Sequence, residues 1–361
     1  MRQAFDNARE GWAGVSRKFQ YIFSFGPILP ENRGLNIPFP ILQPSGTTTC
    51  PGRRMSSPAT SRRLRTLRRQ LCASPASGFT YAAAPADATY AASPPCYFPS
   101  SAPLSVPVLA VTRASRNASV ITFGLPDGVS LNLPVSSCLM LVARGAGEGG
   151  KDAMRPYNPI SANTTTGSFQ LLIKHYADGV VSKYAAALRP GDEVGFRQLG
   201  GNVKAWRYPF AGVRRITMVA GGTGITPMYQ ALLPLLATPG DRTQVRLLYG
   251  NATEGDILLR REIDALAAAH PDRFTATYVV GGSAAAGAAG AAGGSGWGGE
   301  VGWIDADKIK RFAFPPAADS MVWVCGQPGM YEDLCGSRGK ALKAGTVLPR
   351  LGYTDDMVWR S

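Results

Sequence analysis

Four short stretches carry residue types that could hold an anionic ligand. In MRPYNPIS (154–161), Arg155 and Tyr157 stand two residues apart, on one face of an extended chain, followed by Asn158 and Ser161. Pro156 and Pro159 remove two backbone donors there. In AGGTGITPM (220–228), Gly221, Gly222 and Gly224 let the backbone bend sharply and approach a ligand closely. A helix opening at Thr226 (N-cap) and Pro227 (N1) offers free N–H groups and a positive dipole end to phosphate. This is not GxGxxG, because counting from Gly222 puts Pro227 in the third glycine's place. In ADGVVSKY (177–184), Gly179, Val181 and Ser182 offer backbone and hydroxyl donors to a second anion. CGQPGM (325–330) ends an apolar strand at the carboxyl edge where open α/β sheets bind ligands, with Cys325 set to face one. Singly, each stretch reads equally well as an ordinary turn or a small buried residue.

The elements that must position these residues follow from periodicity. LSVPVLAVTRASRNASVITFGLP from 104, SFQLLIKHY (168–176) and LRPGDEVGFR (188–197) have the β-branched content and turn breaks of strands. They predict a small antiparallel β domain over 103–212. From 213 the period changes. RRITMVAGG (214–222), QVRLLYGN (244–251), FTATYVV (274–280) and SMVWVCG (320–326) read as buried strands. TPMYQALLPLLA (226–237) and DILLRREIDALAAAH (256–270) read as helices. The alternation predicts a parallel sheet covered on both faces over 213–361. A Gly/Ala/Ser insertion at 281–296 has nothing large to bury and reads as a flexible linker.

Composition narrows the function classes. Net charge is +14. Residues 1–100 hold 12 Lys/Arg against 4 Asp/Glu, and the other 261 residues hold 26 against 20. The basic excess therefore sits mainly in a segment, 1–102, that is rich in Arg, Ser, Ala and Pro and reads as a transit-like leader. No basic stripe is interleaved with aromatics on a folded element, which argues against nucleic-acid binding. Six cysteines without a CxxC pair and two histidines argue against a zinc site. No apolar run reaches transmembrane length.

RPYNPIS, GSFQLLIKHYADGVVSKY, AGGTGITPM, DILLR and CGQPGM, in that order over about 103–361, resemble the NADH–cytochrome b5 reductase family of the ferredoxin–NADP reductase superfamily. LPRLGYTDDMV and SSCLMLVAR are similar to its mitochondrial plant and fungal branch. The resemblance implies an FAD-binding β-barrel followed by a Rossmann-like NAD-binding domain. It implies hydride transfer from NADH to FAD and single-electron transfer to cytochrome b5 or a similar haem acceptor. By carry-over, Arg155 neutralises the flavin diphosphate and Tyr157 lies against the isoalloxazine and ribityl chain. Asn158 stands beside flavin N5, Ser161 ends the motif, and Tyr176 and Gly179 flank the cofactor. Val181 and Ser182 donate to the pyrophosphate, and Thr226, with Pro227, reaches FAD from the second domain. Lys174, Gly221, Gly222, Thr223, Gly224, Cys325, Gly326, Pro328 and Met330 match positions that bind or flank the nicotinamide nucleotide. Asn158 and Cys325 would stand at the reacting atoms. Lys204, Arg207, Arg214 and Arg215 are candidates for a basic face toward an acidic haem partner.

The chain departs from the family in several places. Asn158 replaces Thr or Ser, and Gln327 replaces Pro. FRQLGGNVKAWRY replaces a KGP turn, and Trp359 is the ring nearest an end that is often Phe. Gly281 replaces the Asp that binds the adenosine ribose and repels a 2′-phosphate. NADPH therefore stays an alternative donor, and a flavin-binding interaction protein with little turnover is an alternative of another class. A mitochondrial or plastid location, a monomer and peripheral membrane association complete the expectations.

Overall fold

The computed structural model describes residues 96–135, 137–199, 210, 212–281 and 297–361. All belong to one compact unit, Phe79–Ser361. Residues 1–95 of the leader, Lys204, Arg207 and residues 282–296 of the insertion lie outside the described residues, whereas 96–102, read as leader, belong to the fold, with Phe98 fully buried in the first core.

Six antiparallel strands form the first sheet: β1 (Leu104–Ser115), β2 (Ala118–Gly124), β3 (Leu139–Ala143), β4 (Ala153–Tyr157), β5 (Ser168–Lys174) and β6 (Glu193–Gln198), in the order β4-β3-β6-β1-β2-β5. The two edge strands meet just past β4. Pro159 lies opposite Leu171, and the Ile160 N–H donates to the Gln170 carbonyl at 2.9 Å. That junction closes the sheet into a barrel. Pro156 is tolerated because β4 pairs on one side only, with β3. Alternate residues point inward, and Phe98, Phe123, Phe169 and Phe196 fill the interior. The Phe123 and Phe196 rings meet edge to face, 4.8 Å between centroids. Helix α1 (Val180–Ala187) closes this core with Val181 and Ala185. No helical signal marks this stretch, since eight residues starting on two valines are too short and too β-branched.

The second sheet is parallel: β7 (Arg215–Gly221), β8 (Gln244–Asn251), β9 (Phe274–Val280), β10 (Glu300–Val301), β11 (Ser320–Cys325) and β12 (Val358–Arg360), in the order β10-β9-β8-β7-β11-β12. Helices α2 (Ile225–Ala237) and α3 (Arg260–Ala269) cover one face, over Ile216, Met218 and Ala220. Helices α4 (Ala306–Phe312), α5 (Pro328–Leu334) and α6 (Val347–Arg350) lie with Val219, Leu248, Val322 and Val324 on the other. Burial on both faces is why these strands read as unbroken apolar runs.

Two helix boundaries differ from the sequence reading. Gly222–Gly224 forms a single 3-10 turn that runs directly into α2, so Gly224 is the N-cap. Thr226 and Pro227 are already inside the helix, and the Thr226 hydroxyl donates back to the Thr223 carbonyl at 3.1 Å rather than capping. The expected helix over 256–270 is broken. A 3-10 turn, Glu254–Asp256, precedes Leu259 at φ +57, and α3 begins only at Arg260. Ile257 and Leu258 are buried in the core between the two pieces, and that burial holds the break open against helix propensity. No helix among the described residues is long and apolar enough to cross a membrane.

Candidate functional site

Arg155 stands exposed on edge strand β4, its guanidinium held by a 2.8 Å bond to the Met154 carbonyl. Helix α1 packs against the same strand, and its start is tied to Tyr176, next to Tyr157 of that strand. The first N–H groups of a helix have no partner within it, and Gly179, the N-cap, brings no side chain to cover them. A Cβ at Gly179 would meet the Ser182 Oγ at 2.3 Å, so a larger residue would push that hydroxyl off its backbone partners. The Ser182 hydroxyl is not free, contrary to the sequence expectation. It accepts from the Tyr176 N–H at 3.2 Å and contacts the Tyr176 and Gly179 carbonyls. What the turn offers an anion is backbone N–H, not hydroxyl. Ser161 is likewise committed, accepting from the Gln170 N–H at 3.1 Å and so pinning the barrel seam. A fork-shaped cation beside a helix start is a donor set that fits a diphosphate.

Tyr157 and Tyr176 lie beside this corner. Burial pushes the Tyr157 phenol up to about 12, against the pull of Arg155. Burial also raises Tyr176, against the pull of the nearby Thr223 hydroxyl of the glycine turn. Two contacts join the two sheets here. The Asn158 amide donates to the Ser137 carbonyl at 2.8 Å and to the Gln230 Oε1 of α2 at 3.3 Å. Lys174, ending β5, pairs with Asp256 at 3.7 Å, both half-buried. Arg155, Tyr157, Asn158, Lys174, Tyr176 and Thr223 are therefore gathered along one seam.

Tyr157 also yields a pH prediction. A phenol held protonated to about 12 leaves stability flat below its ordinary value of 10.0 and lowers it as pH rises through that window. The parent should lose stability relative to Tyr157→Phe between those pH values, read from urea midpoints. Parallel curves would contradict the burial of the hydroxyl.

The glycine turn is built by close approach. Gly222 has φ +54, and its carbonyl accepts from the buried Tyr249 hydroxyl at 2.9 Å. A Cβ at Gly221 would stand 2.9 Å from the Met330 Sδ, and one at Gly224 2.0 Å from the Cys325 carbonyl oxygen. Gly326 is equally tight against Met330. The turn after β7 and the turn after β11, including Pro328 at the start of α5, thus form one surface at the sheet's carboxyl edge. Burial pushes the Cys325 thiol up, so it stays protonated at neutral pH and acts there as a neutral contact. Tyr331, buried below it, donates to the Ser361 carbonyl at 2.7 Å and fixes this corner.

Gln230, Asp256, Tyr249 and Tyr331 were missed by the sequence reading. Gln230 left a trace as a polar residue on an otherwise apolar helix, and Asp256 as the first residue of DILLR. Of the basic-face candidates, Arg214 is exposed and Arg215 is paired with Asp319. At Gly281 an added Cβ would lie 3.1 Å from the Ala252 carbonyl oxygen, so this strand end is closed in by backbone.

Residues 105–205 match the family model for the oxidoreductase FAD-binding domain, and 218–336 that for the oxidoreductase NAD-binding domain. NADH-cytochrome b5 reductase 2 of Saccharomyces cerevisiae (strain YJM789) is 32% identical over 261 residues, 71% of this chain and 82% of that protein. The NADH-cytochrome b5 reductase-like protein of Arabidopsis thaliana is 37% identical over 254 residues, 69% and 73% of the two. Among solved structures, the cytochrome b5 reductase domain of Ulva prolifera nitrate reductase superposes with a TM-score of 0.62 at 29% identity, covering 74% of this chain and all of that domain. A closed antiparallel barrel joined along a seam to a parallel α/β sheet, with relatives over most of their own length, places this chain in the NADH–cytochrome b5 reductase family.

Proposed function

We propose that this chain oxidises NADH through bound FAD and delivers single electrons to cytochrome b5 or a similar haem protein. The observation that carries this reading is the seam itself. A diphosphate-type donor set on the barrel and a glycine turn on the parallel sheet are tied together by the Asn158–Gln230 and Lys174–Asp256 contacts. FAD, when bound, takes an electron pair from a nicotinamide and releases it one electron at a time.

The protein's own part is binding and orientation. Arg155 and the α1 N–H groups neutralise and grip the diphosphate. The Tyr157 and Tyr176 rings keep water from one side of the cofactor, and Asn158 supplies a polar contact at its reacting edge. Thr226 and Pro227 approach from α2. The Gly221–Gly224 turn and the surface of Cys325, Gly326, Pro328 and Met330 receive the nicotinamide nucleotide, while Lys174 offers it a cation. No step requires a general acid or base, and positioning carries the rate.

The basic N-terminal composition supports a mitochondrial address, with plastids the alternative, and the same reading has the chain act as a monomer held peripherally at a membrane. For the acceptor, NADH-driven reduction of cytochrome b5 should slow several-fold as salt is raised, because opposite charges steer the encounter. A fast rate indifferent to salt would contradict docking on a basic face, and no reduction would remove cytochrome b5 as the acceptor.

A further inference from the structure

Gln230 is nine-tenths buried in α2, and its Nε2 has no hydrogen-bond partner among the described residues. Buried donors without partners are rare and call for an explanation. Its Oε1 accepts from Asn158 Nδ2 at 3.3 Å, and the other hydrogen of that amide goes to the Ser137 carbonyl at 2.8 Å. Only one arrangement of the two amides is self-consistent. Turning Gln230 over would set its Nε2 against Asn158 Nδ2, donor against donor. Turning Asn158 over would set its Oδ1 against the Ser137 carbonyl and Gln230 Oε1, three acceptors together. The orphaned Nε2 is what remains when Gln230 is held in the one orientation that serves Asn158.

We propose that Gln230 is a positioning residue that locks the Asn158 amide, so that residue 158 presents only an acceptor, Oδ1, to the flavin. This rests on the reading above that Asn158 faces FAD. A hydroxyl side chain could donate or accept as the cofactor demanded. The locked amide has no free N–H to give. Oxidised flavin carries an acceptor at N5, and reduced flavin carries N–H there. A fixed acceptor disfavours the first and pairs with the second, so the lock raises the midpoint potential of this chain's flavin.

The test uses the full-length protein reconstituted with FAD, its midpoint potential read from flavin absorbance in a redox titration. Gln230→Met keeps the volume and removes Oε1, freeing Asn158 to rotate. The ratio of reduced to oxidised flavin at a fixed potential should fall about fivefold, or about 20 mV for a two-electron couple. The decisive arm places the same change in an Asn158→Ala background, where it should move the midpoint no further. Gln230→Leu, run in parallel, guards against a packing fault peculiar to methionine. An unmoved or raised midpoint, or an equal fall in both backgrounds, would overturn the lock and leave Gln230 a packing residue. Failure of the parent to bind FAD would instead overturn the reading on which the lock rests.

Discussion

Gly224→Ala should be the most damaging single methyl group in the second sheet. Its Cβ would lie 2.0 Å from the Cys325 carbonyl oxygen, 2.5 Å from the carbonyl carbon and 3.0 Å from the Gly326 nitrogen. All three are backbone atoms of the turn after β11, so no side-chain rotation can relieve the clash. Gly224 itself has φ −61, which alanine adopts freely. The effect is therefore contact, not torsion. Alanine's smaller unfolded-state entropy would offset about 0.4–1 kcal/mol, well short of an overpacking penalty of about 3 kcal/mol. Gly221→Ala is the comparison. Its Cβ meets the flexible end of Met330 at 2.9 Å, so about 1 kcal/mol is expected. Urea midpoints should rank parent, Gly221→Ala, Gly224→Ala. Because the two turns form the surface proposed to receive the nicotinamide nucleotide, Gly224→Ala should also lose most NADH-driven flavin reduction. Parent-like stability in Gly224→Ala would show that the turns are not packed as described.

Arg155→Ala should release FAD. A charge-assisted hydrogen bond contributes about 1.5–3 kcal/mol, and Arg155 is the cation on the strand beside the α1 start. Loss of about 2 kcal/mol weakens FAD binding about 30-fold. Arg155→Lys keeps the charge but not the two-pronged geometry, so it should fall between, about fivefold weaker. Titration of apoprotein with FAD reads both. Binding within twofold of the parent in Arg155→Ala would place the diphosphate elsewhere.

Much of this organisation is legible in the sequence, for reasons that can be named. β7, β8, β9 and β11 are buried on both faces, so they appear as apolar runs whatever surrounds them. The glycine turn is legible because close backbone approach admits no other residue. The extended MRPY edge announces itself through a proline that only an edge strand accepts. What stays hidden is short or non-local. Helix α1 has eight residues and begins with Val180 and Val181, so local propensity argues against it. The break at Leu259 arises from burial of Ile257 and Leu258, which a helical period alone cannot foresee. The Asn158–Gln230 and Lys174–Asp256 pairs join residues 72 and 82 apart in sequence, on different sheets, and only the closed seam brings them together. The commitment of the Ser161 and Ser182 hydroxyls to backbone is invisible for the same reason. Their types suggested ligands, and their partners show structural work.

The most direct test of the central claim is anaerobic mixing of the FAD-loaded full-length chain with NADH and, separately, with NADPH, following the flavin absorbance. Fast bleaching by NADH and slow or absent bleaching by NADPH is the predicted result, and it would show that Gly281 does not forfeit the choice of donor. A yellow protein that neither donor bleaches would contradict the account, leaving a chain that holds flavin along this seam without passing electrons through it.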